Sequence, residues 1–186
     1  MKPAKPGILT INGGSSSLKF ALFDQTDPSS RFLSGRIDRI GLEDARWVVT
    51  QANRHAEDCR VKAPDQRAAV RLLIAWLENA VGFTGIAAVG HRVVHGGSRY
   101  HQPERVTAEL IDDLRKISLC DPDHLPGEIE LIDAFRNHAR DLGSPRQLIY
   151  RGQGWITTLH LGSAVERSRR LVMGRNADLV NLTPVS

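Results

Sequence analysis

Apolar residues recur along this chain in two periods, and the switch between them divides the sequence into strands and helices. Gly7-Ile8-Leu9-Thr10-Ile11 is a short, β-branched run leading into glycines, the pattern of a buried strand. Asn12-Gly13-Gly14-Ser15-Ser16-Ser17 is a turn by composition. Beyond it Leu18, Phe20 and Leu22 alternate with Lys19, Ala21 and Phe23 as far as Asp24, so a second strand follows. The two make a hairpin whose tight end is rich in Gly and Ser. Strands over 32–37 and 46–50 continue the period of two and give a sheet an antiparallel start. At Asp65 the period changes. Val70, Leu73, Ile74, Leu77 and Val81 fall on one face of a helix over 65–81, with Asp65 as its N-cap. A strand over 86–94 then ends at Gly96-Gly97. Leu110, Ile111, Leu114 and Ile117 define a helix over 109–117, and Ile129, Ile132 and Phe135 another over 128–140.

Strands followed by a helix, a strand and further helices indicate an α/β domain. From about Gly143 the pattern is less regular. Strands are expected over 148–150 and 155–161, the segment 163–172 fits no single period, and the tail 181–186 reads as disordered. The sequence contains no internal repeat or low-complexity tract.

Composition narrows the function classes. A chain of 186 residues with 41% hydrophobic and 25% charged residues can bury a core as one sizeable domain or two small ones. No apolar run approaches the roughly 18 residues needed to span a bilayer, and the run after Gly7 is too short for a signal-peptide core. A cytoplasmic location is the default expectation, with no membrane partner. Cys59 and Cys120 match no metal spacing and are too few for a disulfide framework. The net charge of +4 would suit an anionic ligand, but basic and acidic residues are interleaved except at Arg167-Ser168-Arg169-Arg170. Aromatics make up 5% with no stacking array, so nucleic acid is not expected as a partner.

Two segments carry candidate chemistry. In Asn12-Gly13-Gly14-Ser15-Ser16-Ser17-Leu18-Lys19, glycines allow close approach of a ligand, and successive N–H groups could form an anion-binding nest. Ser15 and Ser17 can donate to phosphate oxygens, Lys19 supplies positive charge, and Asn12 offers an oxygen toward a metal-bound water. It is not a Walker A loop: there is no Gly-Lys-Ser/Thr ending, and a strand rather than a helix follows Lys19. An ordinary polar hairpin has the same composition. The second segment is Gly90-His91-Arg92-Val93-Val94-His95-Gly96-Gly97. An Arg at the end of a buried strand can hold a carboxylate or phosphoryl group bidentately, though an ion-paired structural Arg would look alike. His91 and His95 invite a zinc reading, but four residues of strand span about 13 Å, too far for one ion.

Taken together, the segments narrow the choice. Ile11 to Phe20 closely resembles the N-terminal signature of acetate kinases, and Gly90 to Gly97 is similar to a second signature of that family. Asp121-Pro122-Asp123-His124-Leu125-Pro126-Gly127-Glu128-Ile129 resembles more loosely a segment that often reads Pro-Leu-His-Asn-Pro-Ala, with Cys120 and Asp121 replacing His-Asn. The resemblance implies a ribonuclease H-like, actin-like ATPase fold, and transfer of a phosphoryl group between ATP and acetate, with Mg²⁺, to give acetyl phosphate. It implies that Asn12 positions Mg²⁺ and phosphate, that Ser15, Ser17 and Lys19 bind phosphate, and that Arg92 holds the acetate carboxylate and the transferring phosphoryl. Val94 and Leu119 would wall the methyl pocket. A homodimer is the candidate assembly.

The later chain departs from the family pattern. The family's Asp in Asp-Thr-Ala-Phe-His and its His in Gly-Phe-His-Gly have no counterpart. Trp155 to Gly162 resembles a later His-Leu-Gly-Asn-Gly phosphate loop, with Ser163-Ala164 in place of Asn-Gly, so His160 and Gly162 are carried over as nucleotide-phosphate contacts. Leu171 to Asp178 resembles a segment ending Thr-Arg-Ser-Gly-Asp but is one residue short, and Arg175 is carried over as a second phosphoryl-binding Arg. The expected organisation is an acetate kinase-like N-terminal domain over 1–145 and a remnant of the second domain over 146–186. An internal deletion and a truncation would explain this pattern. Weak or absent turnover is expected; the alternatives are a non-catalytic acyl-phosphate-binding module or a degenerate remnant.

Overall fold

The computed structural model describes residues 6–27, 29–51, 56–100, 102–140 and 146–151. Five antiparallel strands open the chain: β1 (Gly7–Gly13), β2 (Ser17–Asp24), β3 (Arg31–Asp38), β4 (Arg46–Gln51) and β5 (Glu57–Arg60). Helix α1 (Gln66–Ala80) leads to β6 (Ile86–Val93), and the short β7 (Glu104–Arg105) precedes α2 (Ala108–Ile117), α3 (Leu125–Arg140) and β8 (Arg146–Arg151). All the strands join one sheet in the order β5-β4-β3-β2-β1-β6-β8-β7. β1 runs parallel to β6, and β6 parallel to β8. An antiparallel meander joined to parallel strands through helical crossovers is a mixed α/β sheet, as the residue pattern predicts.

The hairpin, the cap and the helix faces follow from their residues. Gly13 pairs with Leu18 across the β1–β2 turn. The Asp65 carboxylate accepts the Ala68 N–H at 2.7 Å, satisfying one of the orphan donors of α1. Val70, Leu73 and Leu77 of α1 pack with Leu9, Ile11, Leu18 and Phe20 of the sheet and with Leu131 and Phe135 of α3. A second cluster joins Val93 to Leu110, Ile111 and Leu114 of α2 and to Leu125, Ile129 and Ile132 of α3. α3 therefore packs against both clusters, which fixes its N-terminal turn beside the end of β6. Among the described residues, no helix is long and apolar enough to cross a membrane.

Two elements differ from the residue-pattern expectation. β5 is fully exposed at the sheet edge, so it carries no apolar alternation. α3 begins at Leu125 rather than at 128, because Pro126 lies in the first turn, where its missing N–H breaks no intrahelical bond. The strand expected over 148–150 is present as part of β8, which pairs with β6. The expected strand over 155–161 and the segments beyond it lie outside the described residues.

Candidate functional site

The parallel pairing of β1 and β6 aligns Ile11 with His91. The next residues along each strand, Asn12 and Arg92, therefore emerge side by side although 80 positions separate them. Arg92 Nη1 lies 3.4 Å from Asn12 Oδ1, a long hydrogen bond that still orients the guanidinium toward the β1–β2 turn. An open cleft of about 430 Å³ lies there. Asn12, Gly13, Gly14, Ser15, Ser16, Ser17 and Lys19 line one side of it, and Arg92, Val94 and His124 the other.

The cleft is electropositive by its lining. Lys19 and Arg92 contribute fixed charge, and among the described lining residues there is no carboxylate. His124 stands 2.8 Å from the Asp121 carboxylate, whose hydrogen bond raises the imidazole pKa above its ordinary value. Serine hydroxyls, Lys19, Arg92 and the His124 imidazole around a groove of this size suit a phosphate or carboxylate ligand. Gln66, at the start of α1, donates its side-chain amide to the Gly14 carbonyl and ties the turn to the helix.

The anion nest expected of the turn is a different structure. No residue of the turn has a positive φ, and the Gly14 N–H donates to the Ser17 carbonyl at 2.8 Å, closing the hairpin. Alternating left- and right-handed backbone is what aims successive N–H groups at one anion, and it is not formed here. Side chains supply the donors instead.

The structure thus gathers Asn12, Ser15, Ser17, Lys19, Arg92 and Val94 around one cleft. Leu119 is not brought there: it lies on a short 3₁₀ turn after α2 with its side chain 88% exposed. His160, Gly162 and Arg175 lie outside the described residues. His91 is buried, its ring edge-on to Phe135 at 5.6 Å, whereas His95 is exposed and its Nδ1 accepts the Gly97 N–H. Two residues near the cleft were missed from sequence, His124 and Glu128. The Asp121–His124 spacing of three, just ahead of a helix, was the available signal for the first. Glu128 gave none, because an acidic residue in a first helical turn is ordinary.

A Mg²⁺ ion has no protein cage here, since no group of three or more His, Cys, Asp or Glu gathers among the described residues. The set fits a Mg²⁺ that arrives on phosphates and takes few protein oxygens, with Asn12 Oδ1 and the serine hydroxyls of the turn lining the cleft.

An antiparallel meander joined to parallel strands, with its cleft at the shared end of β1 and β6, defines the ribonuclease H-like, actin-like ATPase fold. Solved structures agree. The fold is similar to a propionate kinase from Francisella tularensis subsp. tularensis SCHU S4 (TM-score 0.67, 24% identity, covering 78% of this chain and 36% of that one). It is similar also to the Porphyromonas gingivalis acetate kinase (TM-score 0.67, 22% identity, covering 88% and 43%). Among curated relatives, Acetate kinase 2 of Listeria monocytogenes serotype 4b (strain F2365) is 36% identical over 140 residues, covering 73% of this chain and 34% of the relative. The acetate kinase of Bacillus cytotoxicus is 38% identical over 133 residues, covering 69% and 33%. The Acetokinase family model matches residues 7–144, and the chain belongs to that family. It spans about a third of the length of the curated relatives it matches.

Proposed function

We propose that this chain carries the acyl-phosphate half of a carboxylate phosphotransferase site, which converts ATP and acetate to ADP and acetyl phosphate. The observation that supports it is the convergence of Asn12, Lys19 and Arg92 on one cleft in a member of the Acetokinase family. In the forward direction a carboxylate oxygen attacks the γ-phosphorus, the bond to the β,γ-bridging oxygen breaks, and ADP leaves with the electron pair. No net proton is exchanged. Such a transfer asks the protein for position and charge more than for covalent chemistry.

In this reading Arg92 orients the carboxylate and steadies the equatorial oxygens of the moving phosphoryl. Lys19 and the Ser15 and Ser17 hydroxyls hold the phosphate at the turn, and Val94 walls the methyl side. Mg²⁺, when bound with the nucleotide beside Asn12, would neutralise charge on the β- and γ-phosphates. His160 and Gly162 as nucleotide-phosphate contacts and Arg175 as a second phosphoryl-binding Arg belong to the same proposal, as do a cytoplasmic location and a homodimer. Leu119, exposed away from the cleft, is left out of it. Turnover by this chain alone is weak or absent in this reading, because the family's second catalytic segment has no counterpart in the sequence.

The test is acyl-phosphate formation from acetate and Mg-ATP, trapped with hydroxylamine, in the full chain and in Arg92→Ala. Product that disappears in Arg92→Ala supports a kinase half-site. If folded protein forms no product, protection from unfolding by acetyl phosphate decides between a binding module and a wrong reading. At tenfold Kd a bound ligand should add about 1.4 kcal/mol of stability. Protection that requires Arg92 makes the chain a binding module; neither product nor protection refutes the proposal.

A further inference from the structure

Val94 is the first residue past the β6 ladder, which ends where Val93 pairs with Arg151. Its backbone N–H, no longer served by a neighbouring strand, needs an acceptor. Glu128 provides one from the first turn of α3: both carboxylate oxygens lie 3.1 Å from the Val94 nitrogen. The glutamate is 3% exposed, an unusual depth for this residue type, and its helix is held against β6 by Leu125, Ile129 and Ile132. Arg92 faces it from β6, and Asp121 and His124 from the turn ahead of α3.

We infer that Glu128 is a positioning residue for the anion cleft: by clamping the Val94 N–H it fixes the end of β6 and so aims Arg92 at the ligand. The inference rests on reading the cleft as an anion site. It assigns Glu128 no contact with substrate. A purely apolar side chain at this position would fill the space and leave the Val94 N–H without its acceptor. Because ionised Glu128 also draws on the field of Arg92, its protonation state tunes how strongly the cleft attracts an anion. Burial pushes the Glu128 pKa up to about 7, so the tuning falls in an accessible range.

The probe is sulfate, which has no titration of its own near neutrality, added to the ¹⁵N-labelled full chain between pH 6 and 8. In the wild type the Val94 amide signal should move with pH as Glu128 ionises, and in Glu128→Gln that movement should vanish. Sulfate affinity should fall as pH rises, less steeply in Glu128→Gln, with His124→Gln removing the imidazole's share. Glu128→Leu, shown by its melt to be folded, should lose at least about tenfold in sulfate affinity, whereas Glu128→Gln should stay within about threefold of wild type. A wild-type Val94 signal that ignores pH overturns the inference. So does a folded Glu128→Leu that binds sulfate like wild type. If the wild type shows no Arg92-dependent sulfate binding, the tuning of sulfate affinity falls while the clamp is still decided. In that case an Arg92 side-chain N–H signal shifted in Glu128→Leu supports it, and an unshifted one overturns it.

Discussion

Glu128 makes a quantitative claim about stability that requires no ligand. A carboxylic acid whose folded pKa stands above its unfolded value binds protons more tightly when folded. Its contribution is therefore full below the unfolded pKa and is lost as pH rises through the folded one. Between the ordinary value of 4.5 and about 7, the chain should lose stability from this group as pH increases. At roughly 1.4 kcal/mol per pH unit, that difference amounts to about 3 kcal/mol. With the residue only 3% exposed, solvent screening takes little from the figure. The comparison is urea unfolding of wild type and Glu128→Gln at pH 5 and pH 8. Glutamine keeps a carbonyl acceptor for the Val94 N–H but cannot ionise, so it contributes an offset with no pH dependence. Groups common to both proteins cancel. His124, with its raised pKa, loses stability over an overlapping range, and Asp44, Asp58 and Asp113, with lowered pKa values, lose theirs as pH falls. Because pH 5 already lies above the unfolded value, wild type should fall by about 2.5 kcal/mol relative to the variant between the two pH values. Parallel stability curves would show that Glu128 is ionised throughout, and the reasoning from its burial would be wrong.

Asp65→Ala removes the acceptor of the Ala68 N–H and should cost about 1 kcal/mol in chemical denaturation, with Asp65→Asn recovering most of it. Leu73→Ala, at a wholly buried position in the cluster beneath the sheet, should cost about 2–5 kcal/mol by the same measurement. Gly35→Ala should destabilise and shift tryptophan emission. A Cβ there would come within 2.5 Å of Phe20 Cζ and 2.8 Å of the Val48 carbonyl oxygen, and Phe20 packs on Trp47 and Trp76. Unchanged emission and stability in Gly35→Ala would mean that the strands separate there without cost.

Legibility in the sequence followed burial. The β1–β2 hairpin and α1 could be read because their apolar residues repeat with a period matched to one buried face, and because Asp65 caps as its residue type suggests. β5 could not, since all four of its residues face solvent at an edge. The start of α3 was hidden by Pro126 and Gly127, which read as loop although a proline is tolerated in a first turn. At the site, Asn12, Ser15, Ser17, Lys19, Arg92 and Val94 were legible from two short segments whose residue types carry charge and close approach. Glu128 was not, because its significance comes from a strand 34 positions away in the chain. Leu119 was carried over by the resemblance alone, and its place on an exposed turn could not be read from the sequence.

The register of β1 against β6 also sets when the cleft comes into being. Its two sides are supplied by segments 80 residues apart, joined only once that long intervening stretch has closed. Contacts of such separation carry a large loop-closure cost and tend to form late. Neither segment alone could hold an anion, and a refolding chain should regain its hairpin and α1 well before it regains anything that sulfate can stabilise. Ligand protection in this protein would therefore report on the last long-range pairing of the sheet, and serve as a clock for its completion.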